Sequence, residues 1–499
     1  MFNRCTFAII LALVCLSPFA GAAEWPQFRG PGGTGSSIGA PLPEEWSGTK
    51  NIVWKVAIPG FGWSSPIVWG DKVFVTTAIA EKQAKPKPGA GFGGPPGGFP
   101  GGPGGDQPPP RGGFGRGGFG PRGGGRPPDE VYRWEVYCLD RDSGKVLWKQ
   151  LAAEHKPAIP KQPSNSYATE TPVTDGERVY AYFGTTGVYC YDFSGKLVWN
   201  KDLGSYPMAM GHGTASSPTL DGDRLFVQCD NEKQSFLVAL DKRTGNELWR
   251  VDRSERTSWS TPLIWKNKLR TEVVCLGSGR VRSYDPATGK QLWELGGVNG
   301  QAQASPVADG ELLYVGTGGG PGFGGPDFGG PGGGFGGGRG RGRPGGGGGG
   351  RPLFAVKAGV SGDLTLKEGA TSNDGIAWYL PQAGPAMASP LLVDGFLYIV
   401  EQRGGLLSCY DAKTGKQVYK ERLPGARGFT SSPWGYDGKV FCLDEDGLTF
   451  IVQAGPTFKM IGKNKLDEMF WSSAAVADGA LFLRGVDNLY CIKSANGQN

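Results

Sequence analysis

The side chains able to do chemistry in this chain are few. Two histidines, His155 and His212, serve all 499 residues, and no Cys-x-x-Cys occurs. That inventory excludes a His-rich metal centre and an attached c-type haem. Aspartates are frequent, but Asp140, Asp192, Asp241, Asp285 and Asp411 each stand just ahead of a Ser/Thr-Gly pair. There they cap turns, and no carboxylate pair at glycosidase spacing stands out. The residues that break the pattern sit three positions before the proline of a recurring Ser/Thr-Pro, or before the Ala474 that replaces it. They are Trp63, Trp259 and Trp471, with Gln303, and Thr169, Ala215, Met387 and Thr430 at the equivalent places. Glu170, His212, Arg256 and Arg427 fall in adjoining loops. If these positions converge, they make an aromatic, mixed-charge pocket suited to a flat ligand or a peptide. The same indoles would equally serve to plug a channel.

Convergence depends on the elements that carry them, and those elements repeat. The clearest copy opens at Ser217-Pro218, turns at Asp221-Gly222, runs through Leu225-Phe226-Val227, and closes as Asp241-Lys242-Arg243-Thr244-Gly245-Asn246-Glu247-Leu248-Trp249. Asp-Gly and Thr-Gly tolerate positive φ, so this unit reads as a four-stranded antiparallel meander. The opening prolines stand at 66, 172, 218, 262, 306, 390 and 433, with Ala474 in the eighth place. Away from two inserts, successive openings are 41 to 46 residues apart, the length of one propeller blade. The last unit stops at Tyr490-Cys491-Ile492 without an outer strand, while Asn51 to Val56 reads as an outer strand with no blade before it. Pairing the two closes the ring and removes both free sheet edges. The expected fold is all-β, an eight-bladed propeller spanning residues 51–493.

The ends bound the setting. Phe7 to Leu16 is a short apolar stretch behind Arg4, followed by Ala20-Gly21-Ala22-Ala23. This has the form of a secretory signal over residues 1–23, ahead of an extended segment 24–50. No later run is apolar for long enough to span a bilayer. The expected locale is the periplasm, or the extracellular side and cell envelope, and the tail is 494–499. Seven cysteines follow the signal. Cys138, Cys190, Cys409 and Cys491 occupy the place that holds Ala239, Ser283 and Ala355 in other units, so they read as tight-packed free thiols.

Gly/Pro/Arg-rich tracts at 81–130 and 318–352 separate the second and third strands of the first and fifth units, and their composition predicts disorder. Four blades apart, they should stand opposite each other on one face. The first carries seven Lys/Arg against four Asp/Glu and the second four against one, which leaves the propeller body near neutral. Arg111 to Phe119 resembles an arginine-glycine box, but for an exported chain an anionic polymer or protein is the expected partner rather than nucleic acid.

The Asp-x-x-Thr/Ser-Gly-Lys-x-x-Trp signature at 139–148, 191–199, 240–249, 284–293 and 410–419 resembles the pyrroloquinoline-quinone-type β-propeller repeat family. The resemblance implies that Trp54, Trp148, Trp199, Trp249, Trp293 and Trp378 are structural docking residues between blades. It implies two functional classes. Quinoprotein dehydrogenases hold the quinone above Ca²⁺ with an aspartate base; here no Cys-Cys pair or haem motif is found, and no Glu/Asn/Asp cluster maps onto the metal ligands. A diverged site of that kind would draw on Glu170 or Asp252. The propeller of the outer-membrane β-barrel assembly lipoprotein binds proteins without a cofactor, and this chain resembles it more. The expected function is therefore a non-catalytic exported scaffold with no cofactor and no catalytic or metal residue, binding a protein or polymer through the insert-bearing face. The alternative is a quinone-dependent oxidoreductase using pyrroloquinoline quinone with calcium.

Overall fold

The computed structural model describes residues 24–83, 85–86, 125–298, 300, 302–318 and 350–494. The signal-peptide reading, most of both inserts and the last five residues lie outside them. Eight antiparallel sheets follow one another around a ring, and among the described residues the only helical elements are two 3-10 turns. The first blade contains Ile67–Trp69, Lys72–Ile79, Tyr132–Asp140 and Val146–His155. The third contains Thr219–Asp221, Arg224–Cys229, Ser235–Asp241 and Glu247–Arg253. In the eighth, Asn488–Ile492 pairs with the N-terminal strand Ile52–Ala57, with Trp54 opposite Cys491. The N-terminal strand thus closes the ring. No helix of the described residues is long and apolar enough to cross a membrane.

One cross-strand triad explains the small-residue site. In the first blade Cys138 lies between Phe74 and Trp148, and in the third Ala239 lies between Phe226 and Trp249. A small side chain in the middle lets the two flanking rings meet over it, at 5.9 and 5.8 Å. Cys190 and Cys491 hold the same place. The seventh blade inverts the rule: Gly462 replaces the outer aromatic and Ile451 fills the middle. All seven described cysteines are buried and free, and burial pushes the thiols of Cys138, Cys190 and Cys491 up to about 12.

The outer tryptophans join blade to blade. Each indole N–H donates to the carbonyl of the residue after the turn aspartate of the next blade: Trp54 to Arg141, Trp148 to Phe193, Trp199 to Lys242, Trp249 to Pro286 and Trp378 to Ala412, at 2.8 to 3.1 Å. Trp293 departs from this. Its N–H donates instead to the buried carboxylate of Glu272 in its own blade, at 2.6 Å, because the fifth blade lacks the Asp-x-x-Thr-Gly turn that would receive it.

The segment before the ring-closing strand crosses one end of the funnel. Trp25 pairs with Val68, Pro26 accepts from Thr174 N–H, Gly35 accepts from Gly435 N–H, and Ser36–Ser37 runs parallel to Trp434–Tyr436. It therefore touches the inner strands of the first, second and seventh blades. Arg29, at φ 64°, turns its guanidinium into the interior.

Candidate functional site

The site begins with strand parity. In each blade the residue three before the Ser/Thr-Pro proline and the Ser/Thr itself are two apart, so both face the axis. All eight pairs line one axial cavity of about 170 Å³. Phe28, from the crossing N-terminal segment, also lines it and forms its floor.

The hydroxyl positions are bound to one another in a closed circuit. Ser65 N–H donates to Thr171 Oγ1, Thr171 to Ser217, Ser217 to Thr261, Thr261 to Ser305, Ser305 to Ser389, Ser389 to Ser432, Ser432 to Ser473, and Ser473 back to Ser65. The eight bonds span 2.9 to 3.1 Å, one per blade junction. Proline after each hydroxyl residue has no N–H of its own to satisfy at this crowded centre, and only Ala474 breaks the series. Ser305→Ala should cost about 1 kcal/mol, because the buried Thr261 N–H loses its acceptor. A urea unfolding midpoint unchanged from the parent would contradict this role.

Above the hydroxyls stand the aromatics. Trp63 stacks on Trp471 with ring centroids 5.0 Å apart, and His212 stacks on Trp259 at 5.7 Å. Trp63 Nε1 donates to Ser164 O at 2.8 Å and Trp259 Nε1 to Gly213 O at 2.7 Å, so these two indoles offer the cavity faces rather than donors. His212 reaches this place because Gly211 and Gly213 on either side adopt φ 67° and 80°, a region that favours glycine. Asn165 clamps the loop by donating to the His212 carbonyl at 2.8 Å. Burial holds the His212 pKa below the usual imidazole range. Lys161, beside this loop, lies over the rings of Phe61 and Tyr167 at 6.0 and 5.6 Å, and burial lowers its ammonium to about 8.

Five candidate residues, Trp63, His212, Trp259, Gln303 and Trp471, therefore meet in one cavity. Three do not. Glu170 lies between the axis-facing Thr169 and Thr171 and so points the other way, where it is 1% exposed. Its Oε1 accepts from Gly184 N–H at 3.2 Å, Oε2 has no partner, and burial raises its pKa to about 7. Arg256 pairs at the surface with Glu232, and Arg427 with Asp446 at 3.5 Å. Asp252 is exposed on an outer strand, in a separate groove that it shares with Arg256. Phe28 and the hydroxyl circuit were not anticipated; the sevenfold Ser/Thr-Pro, with Ser473-Ala474 in the eighth place, was the signal for the latter.

Among the described residues the cavity wall contains no Asp, Glu, Lys or Arg, and no three His, Cys, Asp or Glu side chains cluster as a metal site would require. Fold and cavity together define an eight-bladed propeller with an aromatic, uncharged axial funnel. The family model described as outer membrane protein assembly factor BamB, a PQQ-type repeat, matches residues 133–321 and 367–455, more than half of the chain, and the protein belongs to that family. A stretch of 129 residues is 27% identical to the quinohemoprotein alcohol dehydrogenase of Comamonas testosteroni, covering 23% of this chain and 17% of that enzyme. The crystal structure of that enzyme superposes over 96% of this chain and 82% of its own with a TM-score of 0.55 at 10% identity. BamB from Moraxella catarrhalis gives a TM-score of 0.46 at 12% identity, over 74% of this chain and 95% of its own.

Proposed function

We propose that the chain is a non-catalytic, exported binding propeller that docks a protein or polymer partner on its insert-bearing face, with the aromatic funnel mouth as anchor. One observation carries the reading. The mouth presents stacked indole and imidazole faces, the N–H groups of Trp63 and Trp259 are already bound to loop carbonyls, and among the described residues His212 is the one titratable side chain on the wall. Such a surface packs against flat or apolar groups and supplies no proton-transfer partner of tuned pKa except His212. The signal-like N-terminus and the family's description support a place in the cell envelope.

The second reading, a quinone-dependent oxidoreductase, is favoured by the superposition on the quinohemoprotein dehydrogenase. The described residues do not fit that cofactor pair: among them the wall supplies no carboxylate to hold Ca²⁺ and none to act as base. Calorimetric and absorbance titration with pyrroloquinoline quinone and Ca²⁺ separates the two. No binding is expected. Micromolar one-to-one binding that disappears in a Trp63→Ala/Trp259→Ala variant would overturn the scaffold reading. For the scaffold itself, the same double variant is expected to release envelope proteins or anionic polymers retained by the parent chain.

A further inference from the structure

The eight hydroxyls that close the circuit are spent as acceptors but not as donors. Each takes a backbone N–H from the preceding blade, and none donates to a protein acceptor among the described residues. All eight are buried, at 2 to 7% exposure, and all line the cavity. A serine or threonine hydroxyl carries one proton, and buried donors are rarely left without an acceptor. The circuit therefore surrounds the axis with unmet O–H donors, and what satisfies them is a group that accepts hydrogen bonds.

Charge around the circuit has the same sense. Arg29 donates through Nη2 to the carbonyl of Pro390, the residue after circuit member Ser389, while its buried Nε and Nη1 meet no partner. Arg484 donates to Ser64 Oγ at 2.6 Å, beside circuit member Ser65, and to the carbonyl of Thr76. Both guanidiniums are buried, at 2 and 3% exposure, and no carboxylate acts on either; burial alone lowers each to about 9. Buried cations without counterions favour an anion nearby. Glu170, the titratable acid next to the circuit, points away from the axis and is neutral in its proton-bound form.

Size narrows the ligand. A cavity of about 170 Å³ is close to the roughly 150 Å³ that accommodates one benzene ring in a dry protein interior. Its upper wall offers aromatic faces, and its lower wall offers donors.

We infer that the axial cavity binds a small monocyclic aromatic carboxylate, with the ring against the mouth aromatics and the carboxylate accepting from the hydroxyl circuit. This goes beyond the scaffold reading and does not require a macromolecular partner. The test is titration of the intact mature chain with benzoate, benzyl alcohol and acetate, followed by tryptophan fluorescence and calorimetry. Benzoate is expected to bind one-to-one and at least about tenfold more tightly than benzyl alcohol, with acetate weaker still. In a Thr171→Val/Thr261→Val variant that advantage should shrink about tenfold. Arg29→Gln should weaken benzoate alone. Equal affinity for benzoate and benzyl alcohol in the parent chain would overturn the inference and leave water as the acceptor, whatever the folding of the variants. Benzoate binding without any envelope partner would sink only the scaffold reading.

Discussion

Replacement of Trp249 by alanine is expected to lower the stability of the propeller by about 3 to 5 kcal/mol and to leave the axial cavity untouched. The indole lies over Ala239 against Phe226 in its own blade, and it donates to Pro286 O of the next blade at 3.1 Å. It also covers Gly289, where an added Cβ would come within 2.7 Å of the indole ring. The truncation therefore removes a packed ring from both sides of a blade junction and leaves a carbonyl unmet. Gly289→Ala should destabilise by a second route, since the residue holds φ 72° as well as meeting the ring. In the Trp249→Ala/Gly289→Ala double variant the clash with the indole vanishes while the backbone strain and a 3.0 Å approach to Val251 persist, so the two losses should sum to more than the double variant shows. Urea unfolding of the three variants reads this coupling. Additive losses would mean that glycine is required there for its φ alone. Trp249 stands on an outer strand, so ligand affinity at the axis should not change in the folded variants.

The repeated signature made the blade count, the ring closure and the docking tryptophans legible, because each rests on local turn chemistry and a fixed strand period. The convergence of the mouth residues was legible for the same reason: three residues before the opening position is a constant place on the approach to the inner strand. Glu170 does lie in a loop, ahead of the strand Val173–Thr174, but on the side of the chain that faces away from the axis. Alternation puts Thr169 and Thr171 on the axis, so the residue between them must enter the inter-blade layer. Arg256 and Arg427 lie in loops where a nearby acid, Glu232 or Asp446, takes the guanidinium, and no repeat position marks that choice. Trp293 matched the docking pattern yet bonds to Glu272, since docking requires a turn in the following blade that this chain has altered. Phe28 and Arg29 were not legible at all. Their positions depend on a non-repeating segment crossing the bottom of a ring that forms from residues much further along the chain.

The hydroxyl circuit shows how sequence symmetry becomes mechanical and chemical symmetry together. One bond per junction holds the inner strands in register, and the same hydroxyls face a common axis, so any ligand there meets all eight blades at once. Binding would then be coupled to ring integrity. Ligands that occupy the circuit should raise the unfolding temperature of the whole propeller rather than of one blade.

Glu170→Gln is expected to stabilise the protein at pH 8 by about 2 to 3 kcal/mol and to have little effect at pH 4. Burial raises the carboxyl from its ordinary 4.5 to about 7. The folded state therefore keeps a proton that the unfolded chain releases between those values. The unfolded state binds fewer protons in that window, so stability is full below about pH 4.5, falls as pH rises to about 7, and stays flat above. At about 1.4 kcal/mol per pH unit, the window removes about 3 kcal/mol. Glutamine cannot ionise, and its side-chain oxygen is able to accept from Gly184 N–H as Glu170 Oε1 does. Chemical unfolding of parent and variant at both pH values isolates this group from every other titration. A stability gap between the two that is the same at pH 4 and pH 8 would show that Glu170 titrates normally, with water reaching the partnerless Oε2 behind the axial wall.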